Sequence, residues 1–212
     1  FNVICIGSTI ILAQYLGAEK SEEELNHIAK GGFIMTMIAA FALMLIVIIG
    51  TKPLLSCYDL EQEVKESAFM YFLIFGGIGA PFTAFNMFQT GLLRTYGYTK
   101  ETLIVTIISN LVNVAGNAVA IYGFAGIPIT GTVGVAAASV LSMIVGNIIM
   151  AFFIKRRKDI QFNIFRSSKV PFKVHKKILS IGVPTAGESL SYNIAQIVIM
   201  AIISSLGTFA MN

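Results

Sequence analysis

The sequence predicts an all-α polytopic membrane protein with six transmembrane helices, on three observations. The 212 residues are 56% hydrophobic and only 12% charged, with a mean hydropathy of +0.79, whereas soluble domains carry about 25% charged residues. Charge-free stretches run through 1–18, 32–50, 67–93 and 102–154, and from 178 to 212 the only charged side chain is Glu188. Lys and Arg gather in alternate connecting segments, the asymmetry that orients membrane helices.

A membrane-spanning helix takes about 20 apolar residues, so 1–18, 32–50 and 67–93 each supply one span. At about 1.5 Å per residue the stretch 102–154 would reach roughly 80 Å as a single helix, so it folds back as a hairpin. Its break lies at Gly123–Gly131, where Gly126, Pro128 and Gly131 supply turn chemistry. The fourth and fifth spans are therefore 102–122 and 130–154. A connector at 155–177 follows, and 178–212 holds the sixth span.

The loops at 19–31, 94–101 and 155–177 hold thirteen basic residues, against two, Lys52 and Lys65, on the other side. The first set is cytoplasmic by the positive-inside rule, which points both chain ends outward. The chain opens with Phe1 inside an apolar run and closes on Thr208–Asn212 without a polar tail. It reads as a piece of a longer protein with at least one further span before it. Residues 1–18 lack the basic flank of a signal peptide.

Glu188 is the only one of eleven acidic residues that lies inside a span. An ionisable group in hydrocarbon is costly, faces a cavity or a partner, and is a functional-site candidate on that ground. Thr185, Glu188, Tyr192 and Gln196 step by three, four and four, so they share one helix face. Thr83, Asn86, Thr90 and Arg94 do the same on the third span, and Asn110, Asn113 and Asn117 on the fourth. Three polar stripes and a carboxylate predict a shared hydrated cavity. Its candidate lining is Asn86, Gln89, Asn110, Asn113, Asn117, Thr185 and Asn193, beside an apolar wall of Phe and Met. On the fifth span Gly134, Ala138, Ser142 and Gly146 recur every fourth residue, which predicts close helix packing. Pro81 and Pro184, each two residues after a glycine, are candidate hinges or kinks.

Other chemistries find little support. Cys5 and Cys57 have neither disulfide nor metal spacing, and no metal site is expected beyond a sodium ion at Glu188. An intramembrane enzyme would need a nucleophile and base or a metal set within the spans. The chain offers none, since both Asp and both His lie in loops. The basic connector interleaves Phe162, Phe165 and Phe172 among its charges, yet its place between two spans argues for the anionic inner leaflet over nucleic acid. Lys155, Arg156, Arg157 and Lys158 would each contribute about 1 kcal/mol there.

Several phrases carry a family resemblance. They are Gly7-Ser-Thr-Ile-Ile-Leu-Ala-Gln14 followed by Leu16-Gly-Ala-Glu-Lys20, Pro81 ahead of Leu93-Arg-Thr-Tyr-Gly97-Tyr-Thr-Lys100, Gly126-Ile-Pro-Ile-Thr-Gly131-Thr-Val-Gly134, and Ile181-Gly-Val-Pro184. In their order and spacing the chain resembles the multidrug and toxic compound extrusion (MATE) transporters over essentially its whole length. The resemblance implies a twelve-helix, two-lobe, monomeric transporter in the plasma membrane of a bacterium. Residues 1–154 would supply five helices of the N-terminal lobe, 155–177 the connector between lobes, and 178–212 the first helix of the C-terminal lobe.

The activity implied is export of drugs or toxic organic cations by alternating access. It would be coupled to inward sodium or protons, with no cofactor. Glu188, Tyr192 and Gln196 would be the ion-coupling residues. The resemblance places the acid of this helix where Tyr192 stands, and Glu188 lies one turn earlier on the same face. Two rival readings share the topology. A lipid-linked saccharide flippase would carry a strongly cationic cavity, and no span interior here holds Lys or Arg. A membrane receptor or structural protein has no positive feature in the sequence.

Overall fold

The computed structural model describes residues 2–58, 61–123, 130–164 and 170–205. The expected turn at 124–129, connector residues 165–169, including Phe165, and the chain ends at Phe1 and 206–212 lie outside the described residues. Helix α1 covers Asn2–Gly17 and α2 covers Glu22–Ser56. Helices α3 (Gln62–Tyr71) and α4 (Gly79–Thr95) are joined without a break by a π-helical segment, Phe72–Ile78. Then come α5 (Thr99–Tyr122), α6 (Gly131–Arg156) and α7 (Phe172–Ser205). Counting α3 to α4 as one rod, the described chain is six helices with no strand, the all-α fold that the apolar stretches predict.

Four of these rods are long and apolar enough to cross a membrane: α2, the α3 to α4 rod, α5 and α6. Helix α1 is apolar but has 16 residues, about 24 Å of helix against a hydrocarbon core of about 30 Å. The 34-residue α7 is long enough, but its polar stripe lowers its hydropathy.

Local signals explain where the helices begin and end. Residues 22–31, expected in a loop, belong to α2, because Ser21 and Glu24 form a capping box. Ser21 Oγ accepts from the Glu24 amide, and the Glu24 carboxylate accepts from the Ser21 amide. Glu22, Glu23 and Glu24 also sit in the first turn, where acids favour the positive end of the helix dipole. At the far end of α4, Gly97 takes φ +84° and the Tyr98 amide bonds back to the Leu93 carbonyl at 2.9 Å. That closure turns the chain directly into α5.

The buried core gathers at the end of the bundle that carries the basic loops. Ile11 and Leu12 of α1, Ile28 of α2, Phe88, Leu92 and Leu93 of α4, Val105 of α5, Met150 of α6 and Ile178 of α7 form one cluster. Connector residue Ile160 joins it, and Phe162 packs its ring 5.8 Å from Phe33 and 5.1 Å from Phe88. Toward the other end, large apolar side chains such as Ile49, 72% exposed, point outward. A lipid-facing surface accepts them, since lipid tails are as apolar as Leu.

Two contacts bring backbones close. The small-residue row of α6 faces α5: a Cβ added at Gly116 would lie 2.7 Å from that of Ala138, and one at Gly146 would collide with Ser109 Oγ. Helices α1 and α7 cross on a reciprocal pair of glycines. A Cβ at Gly7 would stand 2.5 Å from the Ile178 carbonyl oxygen, and one at Gly182 would strike the Val3 carbonyl. Pro184 follows two residues later, inside the continuous α7.

Candidate functional site

The polar stripes of α4 and α5 converge. A cavity of about 390 Å³ opens between the α3 to α4 rod, α5 and α6, lined among others by Asn86, Ser109, Asn110, Asn113, Ser139 and Ser142. Asn117 Nδ2 donates to Asn113 Oδ1 at 3.2 Å, and Asn113 Nδ2 donates to Ser139 Oγ at 3.0 Å. This amide relay ties α5 to α6 along the cavity wall. Asn86 and Asn110 make no hydrogen bond among the described residues, and the buried Ser109 Oγ and Asn117 Oδ1 also lack a partner. Unpaired amides in a membrane interior are expensive unless water or a ligand meets them. The cavity is polar yet uncharged in its described lining.

A second hollow of about 660 Å³ lies on the other side of Asn86, between α1, α4 and α5, and includes Thr9, Thr90, Arg94 and Thr106. Asn86 and Thr106 line both spaces. Thr83 turns instead toward α6, donating to the Gly79 carbonyl at 3.1 Å and meeting Met143 Sδ at 3.3 Å. Gln89, also expected in the cavity, is buried between α4 and α6, where Nε2 donates to the Asn147 carbonyl at 3.2 Å. Asn147 Nδ2 in turn donates to the Phe82 carbonyl at 2.9 Å, so this pair serves packing.

The stripe on α7 does not join the others. Helix α7 packs on α1 and α2 and meets neither α4 nor α5 among the described residues. Beyond Gly182 its side chains are mostly exposed. Glu188 is exposed and makes no hydrogen bond or ion pair among the described residues. Gln196 Nε2 donates to the Tyr192 hydroxyl at 2.9 Å, Asn193 Nδ2 to the Ser189 carbonyl at 2.8 Å, and Thr185 Oγ1 to the Ile181 carbonyl at 3.0 Å. Tyr192 and Gln196 thus form a pair one and two turns beyond Glu188. Pro81 continues α4 just after the π-helical segment, and Pro184 lies between the glycine crossing and Glu188.

The connector is stitched to the bundle. Tyr98 donates to Asp159 Oδ2 at 2.7 Å, and Arg157 pairs with Glu101 while its guanidinium lies 4.3 Å from the Tyr98 ring centroid. The Gln161 amide donates to the Tyr96 hydroxyl at 3.2 Å and the Asn163 amide to the buried Asn26 Oδ1 at 2.7 Å. The hydrogen bond to Asp159 raises the Tyr98 pKa above its usual value, and burial raises that of Tyr96.

Sequence reasoning missed several residues that line this cavity. Thr106 and Ser109 could have been found, since with Asn113 they keep helical spacing on α5, and so could Tyr71 and Phe75, which continue the row of Asn86, Thr83 and Gly79 in steps of four. Ser139 lies three residues before Ser142, on the helix whose small-residue row was assigned to packing.

Known proteins resemble the chain in sequence and in fold. The chain is 33% identical, over its whole length and 46% of the relative's, to a protein of Bacillus subtilis described as an uncharacterized transporter, YisQ. It is 30% identical over 85% of its length, and 40% of the relative's, to a probable multidrug resistance protein, NorM, of Bacillus thuringiensis. It thus spans less than half the length of these relatives. A crystal structure of MATE in the bent conformation superposes with a TM-score of 0.84 over 97% of this chain and 45% of that one, at 23% identity. The MatE family model matches residues 1–119. With that match over more than half of its length, on a helical bundle of the same fold, this multi-pass membrane chain belongs to the MatE family of transporters.

Proposed function

We propose that the protein exports organic cations across the membrane by alternating access, in exchange for inward sodium or protons. The observation that carries this reading is the uncharged polar cavity between membrane-crossing helices, where Asn86 and Asn110 offer amide groups without internal partners. Amide oxygens solvate a cation without binding it irreversibly, and the absence of Lys or Arg from the described cavity lining avoids repelling it. The bacterial relatives named as probable multidrug resistance proteins support the same direction. The mixed wall of Met and aromatic side chains suits varied cargo.

Glu188 is the coupling group in this reading. A carboxylate left alone in hydrocarbon takes a proton or holds a cation, because the bare charge is too costly. Its effect on the cavity is indirect, since α7 does not reach α4. The glycine crossing locks the first part of α7 to α1, and α1 lines the hollow that shares Asn86. A change of charge beyond Pro184 therefore acts through α7 and α1. It biases the two access states only as far as the ion's affinity differs between them, tenfold in population for about 1.4 kcal/mol. Tyr192, Gln196 and Asn193 supply oxygens and amides for the ion, and Thr185 completes the face. The cations Lys155, Arg156, Arg157 and Lys158 hold the connector on the anionic inner leaflet.

The test is ion-driven efflux from proteoliposomes carrying Glu188→Gln. Loss of gradient-driven transport, with probe binding to the cavity retained, is expected. Efflux at the parent rate would remove Glu188 from the mechanism.

A further inference from the structure

The third membrane rod carries two aromatic rings on its cavity face. Counted back from Asn86 through Thr83 and Gly79, Phe75 and Tyr71 follow in steps of three, four, four and four, the helical spacing of one face. At about 100° per residue, Phe75 falls roughly 20° and Tyr71 roughly 60° from Asn86. The stretch Phe72–Ile78 winds as a π-helix, with hydrogen bonds from i to i+5, and both rings line the cavity. Phe72, one residue off this row, is 42% exposed.

The two rings are organised as one surface. Tyr71 and Phe75 stack with centroids 5.5 Å apart and planes inclined by 29°. Opposite them stand the neutral polar side chains of α5 and α6, with no carboxylate in the described lining. In such a space aromatic faces add an attraction for positive charge to that of the amide oxygens.

We propose that Tyr71 and Phe75 are specificity-determining residues of this cavity: their stacked rings, on the same helix face as Asn86, form the wall that receives a lipophilic organic cation. The inference rests on the reading of the cavity as an organic-cation site. The experiment is equilibrium binding of tetraphenylphosphonium to the full chain in nanodiscs. Tyr71→Leu and Phe75→Leu should each weaken binding roughly 3- to 30-fold, the span of one cation–π contact. Tyr71→Phe should stay within about twofold of the parent, because it keeps an aromatic face. Phe72→Leu should leave affinity unchanged. A parent chain without saturable binding would overturn the cavity reading together with this one. A parent that binds, with Phe72→Leu sensitive or with both leucine variants at Tyr71 and Phe75 unaffected, would overturn this inference alone.

Discussion

Asn113 holds the cavity wall from both sides, accepting from Asn117 and donating to Ser139. Asn113→Ala removes both bonds and leaves two half-buried partners unpaired, a cost of about 1 kcal/mol. It should lower the thermal midpoint of the protein and weaken tetraphenylphosphonium binding several-fold, whereas the exposed Leu111→Ala should do neither. Tyr98 offers a pH test at the opposite surface. Its pKa is raised above the usual 10.0 because its proton is held by Asp159. The contribution of this bond is therefore complete below pH 10, the unfolded value, and disappears as pH rises through the higher folded value. Unfolding curves of the parent and Tyr98→Phe should differ at pH 8 and converge in strong alkali. A gap that persists or grows at high pH would reverse the sign assigned to the bond.

Among elements, the crossing of α1 and α7 makes the sharpest demand. Gly7→Val places a side chain against the Ile178 carbonyl, 2.5 Å from the new Cβ, and should cost about 1–3 kcal/mol as an overpacked contact. Gly17→Ala, with nothing within 4 Å of its Cβ, should be close to neutral. Comparing the two by thermal unfolding separates loss of this crossing from a general intolerance of side chains in α1.

Elements were legible where one physical effect dominated. The charge-free stretches marked the rods, because burying Lys or Glu in hydrocarbon is prohibitive. The row Gly134, Ala138, Ser142, Gly146 marked the α5 seam, because only small residues permit that approach. The start of α2 was misplaced by ten residues: Glu22, Glu23 and Glu24 read as a solvated loop, although Ser21 and Glu24 have capping-box spacing. The π turn had no signature at all. Within it Gly76 and Gly77 lie close to Val47 and Ile48, a tertiary contact that residue spacing does not contain.

For the whole molecule, the stripes of the third and fourth spans converge and that of the sixth does not. Asn86, Asn110 and Asn113 meet in one cavity, with Asn117 behind them, because α4 and α5 are neighbours through α6. Glu188, Tyr192, Asn193 and Gln196 stay apart from it, because periodicity defines a face but not what the face meets. In the proposed mechanism the cavity would bind cargo and the acidic face of α7 would act on it through α1. Charge placement divides the surface in the same way, with the basic connector stitched to the core-bearing end by Arg157, Tyr98 and Asn26.

The central claim is that an ion gradient drives an organic cation through this protein, and flux in sealed proteoliposomes tests it most directly. With tetraphenylphosphonium inside and sodium or protons in excess outside, the account predicts efflux against the cargo gradient that stops when the ion gradient is collapsed. Efflux that follows only the cargo's own gradient, unchanged by either ion, would contradict it.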